Sequence, residues 1–342
     1  MSLSHSLRRR RQFRKRMLIV LIALGGVVVL TIIGTVGWFV TTGLQALAAT
    51  PPGVGTTIVA PDESKAAKAA AAGTLSGDEQ SAAEYLAVQP TAYWLTPEID
   101  PVGEVGTRIL NLAAEAREQN AAVAVVVYGL PERDCSSEHS AGGLDDADYD
   151  TWTGQIGEAL ASLKDLQKIV ILEPDSLAQA PDCGNVDERV VQLRQAVDRI
   201  AGAGTWIYLD GGHSNWRTAE DQAALIARVE RGTTVRGFAV NVSNYNTTSD
   251  EFAYAHEIAG VLGHGHAIVD TSRNGAGPDG AVWCNPSGRL TGDSGGTYGD
   301  DVVDTNLWVK PPGESDGECN GGPVAGAWWP AGSVELTRDA IR

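Results

Sequence analysis

The residues best placed to do chemistry are four aspartates, each of which follows a short apolar run. The runs Ala124–Tyr128, Ile169–Leu172, Trp206–Leu209 and Leu307–Lys310 lead to Asp134, Asp175, Asp210 and Asp316. Continuously apolar runs of this length are typical of strands buried on both faces of a parallel sheet. Because the carboxyl ends of parallel strands share one rim, where ligands bind, the pattern predicts that the four carboxylates meet there.

The second of these runs gives the clearest boundary. Pro174 follows Glu173 and cannot donate to a strand ladder, so the strand should end there and Asp175 should lie just beyond it. A single aspartate at a strand end is more often a solvated residue that caps the next helix. The recurrence of the pattern is what favours a functional site.

Clustered acids on a rim can bind a metal ion, bind ligand hydroxyls or break a glycosidic bond. Aromatic residues interleaved with the acids favour a sugar, whose C–H faces stack on rings. These aromatics are Trp94, Tyr128, Trp216, Trp283, Trp328 and Trp329. Repulsion among the acids and partial burial should keep one of them protonated, while Arg133 and Lys310 could hold their neighbours ionised.

The elements that must position these residues alternate along the chain. Helical patterns separate the strand-like runs over residues 102–118, 149–163, 186–202, 218–231 and 250–262. This alternation predicts parallel βα units with right-handed connections. The number of units favours a barrel over an open sheet.

The amino-terminal end carries an export pattern. Seven arginines and lysines within residues 8–16 precede an apolar run, Met17–Val40, which is long enough to span a bilayer. We expect a basic cytoplasmic tail (1–16) and an uncleaved transmembrane signal-anchor (17–40), with the catalytic domain outside the cytoplasm. Cleavage near Ala48, which would release a secreted enzyme, is the alternative.

Charge limits the partners of the rest of the chain. The formal net charge is −17, so removing the seven positive charges of residues 1–40 leaves −24 on the remainder. Such a body would repel a phosphate backbone, which argues against nucleic acid. Residues 41–81 are rich in Ala, Gly and Pro and predict a linker, and residues 82–342 predict one catalytic domain, by default a monomer.

Four cysteines in an exported chain favour two disulfides. Of the three possible connectivities, Cys135–Cys183 with Cys284–Cys319 closes the shortest loops. A zinc site is the competing interpretation, but the spacings fit it poorly.

A series of segments, in order from about residue 90 to the C-terminus, closely resembles glycoside hydrolase family 6, a family of cellulases. The segments are Val126–Cys135, Ser140–Gly143, Val170–Leu177, Ile207–Trp216, Asn241–Tyr245, Val269–Gly275, Trp283–Gly288 and Leu307–Asp316. The resemblance implies a distorted, incomplete parallel α/β barrel of about seven strands. It also implies hydrolysis of β-1,4-glucan with inversion, without a metal or other cofactor.

The resemblance further implies roles for individual residues. Asp175 matches the general acid, Asp134 the acid that assists water activation through the position of Ser140, and Asp316 the nominal base. Asp210 matches a supporting acid.

Other positions match groups that contact the sugar. Tyr128 matches the tyrosine that crowds the distorted sugar at the cleavage point. Sugar-binding positions are matched by Trp94, His213, Trp216, Asn241, Asn244, Trp283, Lys310 and Glu314. The two cysteine pairs proposed above are also the family's pairs.

Some features leave alternatives open. Glu132 and Glu318 are unusual beside the matched segments and could shift the loops of Asp134 and Asp316. Short segments around the site predict an open cleft and cleavage within the glucan chain; an exo-acting cellobiohydrolase is the alternative. A surface glycan-binding protein without catalysis and a cell-wall scaffold are the competing classes.

Overall fold

The structure of this chain is a computed structural model that describes residues 17, 26, 49–136 and 140–341. The predicted cytoplasmic tail (1–16) and signal-anchor (17–40) lie outside the described residues, apart from two isolated positions. Within the described ranges, no helix is both long and apolar enough to cross a membrane. The residues from 49 onward belong to one compact unit.

Seven parallel strands form the centre of this unit and lie side by side in chain order. The strands are β1 Tyr93–Leu95, β2 Val123–Val127, β3 Lys168–Leu172, β4 Thr205–Asp210, β5 Gly237–Val240, β6 His266–Asp270 and β7 Val303–Leu307. All five residues of β2, Val-Ala-Val-Val-Val, are buried, as expected of a strand covered on both faces. The curved sheet is a half-barrel, which confirms the predicted incomplete parallel α/β barrel.

The described residues form the helices α1 Lys65–Ala71, α2 Gly77–Ala87, α3 Val105–Gln119, α4 Asp146–Ser162, α5 Ser176–Cys183, α6 Val186–Ile200, α7 Ala219–Glu230, α8 Thr248–Leu262 and α9 Pro330–Thr337. Helices α3 to α8 connect successive strands from β1 to β6 and pack on the outer face of the sheet, whereas α1 and α2 precede β1 and α9 follows β7. Helices α4, α7 and α8 begin at side-chain caps, in which Asp145, Thr218 and Thr247 accept a backbone N–H three residues later. The five predicted helices correspond to α3, α4, α6, α7 and α8.

The buried apolar residues form two main groups, one on each face of the sheet. The outer group packs the strands against the helices and includes Val125, Trp152 and Phe238. The inner group fills the barrel and includes Val126 and Ile171. Alternation of side chains along each strand produces this division, since neighbouring residues point to opposite faces.

The amino-terminal described segment packs at the end of the barrel where the strands begin. Ile58 belongs to the inner apolar group and forms a parallel bridge with Ala122, just before β2. Its neighbour Val59 is fully buried and accepts a hydrogen bond from the N–H of Thr91 at 3.2 Å. On the other side, the N–H of Gly55 donates to the carbonyl of Gly296 at 2.8 Å.

Two sequence expectations differ from this structure. Residues 49–81, within the predicted linker 41–81, contain buried core residues and helix α1, so the packed unit begins well before residue 82. The run Leu307–Lys310 was predicted as a strand, but β7 is Val303–Leu307 and the run continues beyond its end. The predicted boundary is wrong because Val303–Leu307 contains Asp304 and Asn306. Both are buried, but they interrupt the apolar pattern.

Candidate active site

Five of the seven strands carry an acid at their carboxyl end or on the loop that follows it. Asp210 and Asp270 are the last residues of β4 and β6, whereas Asp134, Asp175 and Asp316 lie on loops after β2, β3 and β7. Because all seven strands are parallel, these loops emerge at one rim. The structure therefore brings together the four aspartates predicted from the sequence.

Asp175 lies at the start of α5 in a left-handed backbone conformation, with φ of 68°. Its N–H donates to Oδ1 of Asp210 at 3.1 Å. Burial raises the pKa of Asp175 well above its usual value, and the negative charges of Asp210 and Asp134 raise it further, against the opposing effect of Lys310. The environment thus favours a protonated Asp175.

Asp210 supports this arrangement from the end of β4. Its Oδ1 accepts hydrogen bonds from the N–H groups of Asp175 and Gly212, at 3.1 and 3.0 Å. Burial raises the pKa of Asp210 to about 7, and the two N–H donors oppose that rise. The buried Asp210 is thus bonded directly to the backbone of the partly buried Asp175.

Asp134 is held by an aromatic neighbour. The hydroxyl of Tyr128 donates a hydrogen bond to Oδ2 of Asp134. The Tyr128 ring meets Trp94 edge to face at 5.1 Å, and the guanidinium of Arg133 lies 4.3 Å from its centre. Burial raises the pKa of Asp134, while the Tyr128 hydrogen bond and the charge of Arg133 lower it.

Both carboxylate oxygens of Asp316 are occupied by protein donors. Oδ1 accepts from Nη1 of Arg273 at 2.8 Å, and Oδ2 accepts from the Tyr245 hydroxyl and the Asn285 N–H, each at 3.0 Å. Arg273 is itself buried and also donates to the carbonyl of Ser243. Asp316 is thus a buried, fully hydrogen-bonded member of an ion pair.

Lys310 lies between the acids and an aromatic ring. Its Nζ is 5.0 Å from the centre of the Trp94 ring, and its backbone N–H donates to Asp270 at 3.0 Å. Burial lowers the pKa of Lys310, and the charges of Asp316 and Glu314 oppose that shift. The Trp94 indole is fixed by a 2.8 Å hydrogen bond to the carbonyl of Val309.

Two other predicted sugar-binding groups lie on the loop after β4. The rings of His213 and Trp216 are 5.6 Å apart. Burial lowers the pKa of His213 to about 4, so its imidazole is neutral near neutral pH and can exchange hydrogen bonds with a hydroxyl group. Trp283, on the loop before Cys284, is 52% exposed and presents a ring surface to solvent.

Three predicted binding residues are engaged within the protein. Asn241 is fully buried, and its amide donates to the carbonyls of Asn246 and Asp270 and accepts from the N–H of Asn246. The side chain of Asn241 therefore organises the loop after β5 and is inaccessible to a sugar, contrary to the prediction. The Asn244 amide donates to Val242 at 2.9 Å, and Glu314 pairs with Lys65 of α1 at 3.2 Å.

Ser140 contacts Arg133, the residue before Asp134, through its backbone carbonyl. Its carbonyl accepts from Nε of Arg133 at 2.9 Å, and the same guanidinium pairs with Glu98 at 3.0 Å. Residues 137–139, between the two predicted site positions, lie outside the described residues.

Sequence reasoning missed four residues that hold this rim together: Glu173, Tyr245, Asp270 and Arg273. Asp270 follows the apolar pair Ile268-Val269 and accepts the N–H groups of Ser243, Ser272, Val309 and Lys310. The strand-end rule applied above would have found it. Glu173 and Arg273 gave no local signal, because their partners are distant in sequence.

The predicted disulfides, Cys135–Cys183 and Cys284–Cys319, are both present. The first ties the turn after Asp134 to the end of α5, whose first turn follows Asp175. The second brackets the segment in which Asn285 contacts Asp316. Each cross-link therefore braces a loop that carries a candidate acid.

A possible cation site lies elsewhere on the surface. His256, Asp300 and Asp301 place one ligand atom each within 4.8 Å of the others. All three are exposed, and Nε2 of His256 is paired with Asp300 at 2.9 Å. They lie at α8 and before β7, away from the acids of the rim.

Comparison with known families identifies the family to which the chain is similar. The family model for glycosyl hydrolases family 6 matches residues 54–340, a span that includes every described acid discussed above. The chain belongs to this family. The match also begins near Ile58, in agreement with the packed amino-terminal segment.

Relatives within family 6 include enzymes of bacteria and fungi. The chain is 38% identical to endoglucanase A of Cellulomonas fimi over 266 residues, covering 78% of this chain and 58% of that protein. It is 37% identical to endoglucanase A of Thermobispora bispora, covering 63% and 48%. The chain thus spans about half the length of these two relatives.

Solved family 6 structures share the architecture. The endoglucanase Cel6 from Mycobacterium tuberculosis, in complex with a methyl-cellobiosyl thio-cellobioside, has a TM-score of 0.77 and 35% identity; the match covers 86% of this chain and 100% of that one. The catalytic core of the cellobiohydrolase Cel6A from Chaetomium thermophilum has a TM-score of 0.74 and 27% identity, covering 82% and 96%.

Proposed function

We propose that this chain hydrolyses β-1,4-glucosidic bonds in a cellulose-like glucan, with inversion at the anomeric carbon. The observation that carries the proposal is the pairing of a partly buried Asp175, whose environment favours the protonated form, with Asp210 and Asp134 at one rim. The aromatic side chains Trp94 and Trp216 beside those acids suit the faces of glucose rings.

In this mechanism Asp175 is the general acid. Its proton passes to the glycosidic oxygen as the bond to the anomeric carbon breaks, and the leaving sugar departs with a free hydroxyl group. A water molecule attacks the anomeric carbon from the opposite face and gives up one proton. Asp210 accepts the Asp175 peptide N–H, and the ionised form of Asp210 raises the pKa of Asp175.

We assign the assistance of that water to Asp134. One oxygen of Asp134 accepts from Tyr128, so its other oxygen is available to receive a proton, directly or through the hydroxyl of Ser140. Asp316 is the nominal base of the family pattern, but its oxygens accept three protein hydrogen bonds, one from a guanidinium. Because both oxygens are engaged by protein donors, we propose that Asp316 acts mainly by holding Arg273 and attracting Lys310 rather than by contacting the water.

Cleavage within the glucan chain is the mode we favour. Endoglucanases at 35–38% identity support it, whereas the cellobiohydrolases compared are 26–32% identical; one fungal endoglucanase, at 31%, falls within that lower range. The exo-acting alternative makes a different prediction for viscosity, because removal of units from chain ends leaves long polymers intact.

The test is hydrolysis of soluble hydroxyethyl cellulose by the full-length oxidised chain. We expect reducing ends to appear together with a rapid fall in viscosity, and NMR of cello-oligosaccharide products to show the α-anomer first. Asp175→Asn should lower kcat by about 10²–10⁴-fold, the usual contribution of general acid catalysis. Asp182→Asn, which changes an exposed acid of the same helix paired with Arg217, is the matched control.

The outcomes separate the alternatives. A β-anomeric first product would refute inversion. Reducing ends that accumulate while the viscosity falls only slightly would establish exo action. A folded protein that binds cello-oligosaccharides without cutting them would favour the glycan-binding class.

We also propose export, with the domain outside the cytoplasm and held by the amino-terminal anchor. The two disulfides support an oxidising compartment. Fractionation of intact cells, with protease added from outside, tests this: the folded domain should be released from the membrane fraction by cleavage near residue 48.

A further inference from the structure

Glu173 is the buried acid that precedes Pro174 at the end of β3. Its side chain is almost completely buried, with 1% of the residue exposed. Its backbone has φ of 52°, in the left-handed region, and its N–H donates to the carbonyl of Val127 at 2.9 Å. Asp175 has a similar positive φ, so two strained residues flank the proline. This turn places Glu173 toward β2.

The carboxylate of Glu173 binds the backbone of the neighbouring loop. The Gly129 N–H lies 3.0 and 3.2 Å from its two oxygens, and the Leu130 N–H lies 3.3 Å from Oε2. The Tyr149 hydroxyl of α4 donates to Oε1 at 2.9 Å. Buried N–H groups need such acceptors, because a buried N–H without a hydrogen-bond partner destabilises the fold.

The loop that Glu173 binds is the one that carries Tyr128 and Asp134. Arg189 of α6 holds its other side, donating to the carbonyl of Pro131 at 2.7 Å and to that of Glu132 at 3.2 Å. Gly129 fits only without a side chain, since a Cβ there would lie 2.7 Å from the ring of Trp152. The loop is therefore held by the Glu173 carboxyl group at its start and by the Arg189 guanidinium at its middle.

We propose that Glu173 is a positioning residue that sets the Tyr128–Asp134 loop against Asp175. One turn after β3 delivers Asp175 to the rim and, two residues earlier, the group that fixes the opposing acid. The distance between general acid and water-activating acid is thereby set by backbone geometry. This inference rests on the hydrolytic function proposed above.

The test compares Glu173→Gln with Tyr149→Phe in the full-length oxidised chain. Glutamine has nearly the same shape but replaces one acceptor oxygen by an NH₂ donor that faces the Gly129 and Leu130 N–H groups. Tyr149→Phe removes one donor to the same carboxylate and leaves both amide contacts. Each variant is assayed on a cello-oligosaccharide, which has a poor leaving group, and on dinitrophenyl β-cellobioside, which needs little acid assistance.

We expect Glu173→Gln to lower kcat about 100-fold on both substrates, as for a misplaced catalytic group. The Kd for a thio-linked cello-oligosaccharide should change by less than about threefold. Tyr149→Phe should stay within about threefold of the unmodified chain for kcat. A loss shared by both substrates identifies the water-activating side, because a displaced Asp175 would be rescued by the good leaving group.

Several outcomes would overturn the inference. These are an unchanged kcat in Glu173→Gln, or an equal fall in kcat in Tyr149→Phe. A fall in kcat only on the cello-oligosaccharide, or a weaker Kd that matches the fall in kcat, would also overturn it. If Glu173→Gln fails to fold, Glu173→Asp, whose shorter carboxylate reaches fewer amides, must give a reduced kcat on both substrates for the proposal to stand. An unmodified chain that is inactive on both substrates would refute the proposed hydrolysis itself.

Discussion

At the scale of single residues, the rim contains acids with opposite electrostatic surroundings. Asp175 is partly buried beside the buried Asp210, so the charged forms of both are disfavoured. Asp316 is also buried but is joined directly to the guanidinium of Arg273. The same residue type is thus placed for proton donation at one position and for ion pairing at another.

The Arg273–Asp316 pair should be expensive to break. Arg273→Met removes the only basic side chain among the described residues that is bonded directly to this buried carboxylate, and we expect the free energy of unfolding to fall by roughly 3–5 kcal/mol. Urea unfolding of the oxidised chain measures it. Arg228→Met, which breaks the exposed pair with Asp187, should change stability by at most about 1 kcal/mol. Equal effects in the two variants would contradict the buried-pair interpretation.

Asp210 should make stability depend on pH. Burial raises its pKa to about 7 in the folded protein, so the folded state binds this proton more tightly than the unfolded state does. The stabilisation that this proton gives to the folded state is therefore complete at pH values below the ordinary aspartate range. It is lost as pH rises through about 7. Asp210→Asn should remove that loss, stabilising the protein at pH 8 relative to pH 4 by on the order of 1–4 kcal/mol.

Urea unfolding at the two pH values checks this effect of Asp210→Asn. Glu251, whose pKa burial also raises to about 7, is present in both proteins and cancels in the comparison. A stability difference between the variant and the unmodified chain that is the same at pH 4 and pH 8 would disprove the assignment.

At the scale of elements, the segment before α1 is part of the barrel. Ile58 plugs its lower end, and Lys65 reaches from α1 to Glu314 and to the carbonyl of Gly326. The loop that carries Asp316 is therefore tied to an element far away in the sequence. Composition did not predict this, because two isolated apolar residues among Ala, Gly and Pro carry no periodic signal.

Ile58→Ala measures the contribution of the segment. Truncation of a buried isoleucine leaves a cavity, and we expect the free energy of unfolding to fall by about 2–4 kcal/mol. Val54→Ala lies four residues away at a position that is 64% exposed, and it should change stability by less than about 0.5 kcal/mol. If residues 49–81 were only a linker, both variants would behave like the control.

What the sequence predicted well has a common physical basis. Helices α3, α4, α6, α7 and α8 have one apolar face, and β2 to β4 contain the uninterrupted apolar runs 123–127, 169–172 and 206–209, so local patterns identify them. Strand-end acids followed from parallel topology alone. The remaining features, such as β1 with three residues and the bond from Arg273 to Asp316, depend on contacts between distant segments. Local patterns do not contain such contacts.

At the scale of the whole molecule, charge should govern which glucans are cut well. Excluding residues 1–40, the chain carries a formal charge of −24. An anionic polymer is repelled by this surface, and a neutral one is not. The proposed activity thus has a charge-dependent component that is independent of the chemistry at the rim.

Salt should separate the two kinds of substrate. Raising ionic strength from about 0.01 M to 0.15 M shortens the screening length from about 30 Å to about 8 Å. We expect kcat/KM on carboxymethyl cellulose to rise several-fold over that range, while kcat/KM on hydroxyethyl cellulose stays constant. Initial rates at both salt concentrations provide the measurement, and an equal response of the two polymers would contradict it.

The contacts of Lys65 also bear on when the protein can fold. Its two partners lie 249 and 261 residues further along the chain. Contacts of such long range are slow to form, and a ribosome releases the carboxyl-terminal partners last. The first packed segment is therefore among the last to become locked, so the nascent chain stays without its final tertiary structure until synthesis is nearly complete. A chain without its final tertiary structure can still pass through a translocation channel, which admits only unfolded polypeptide.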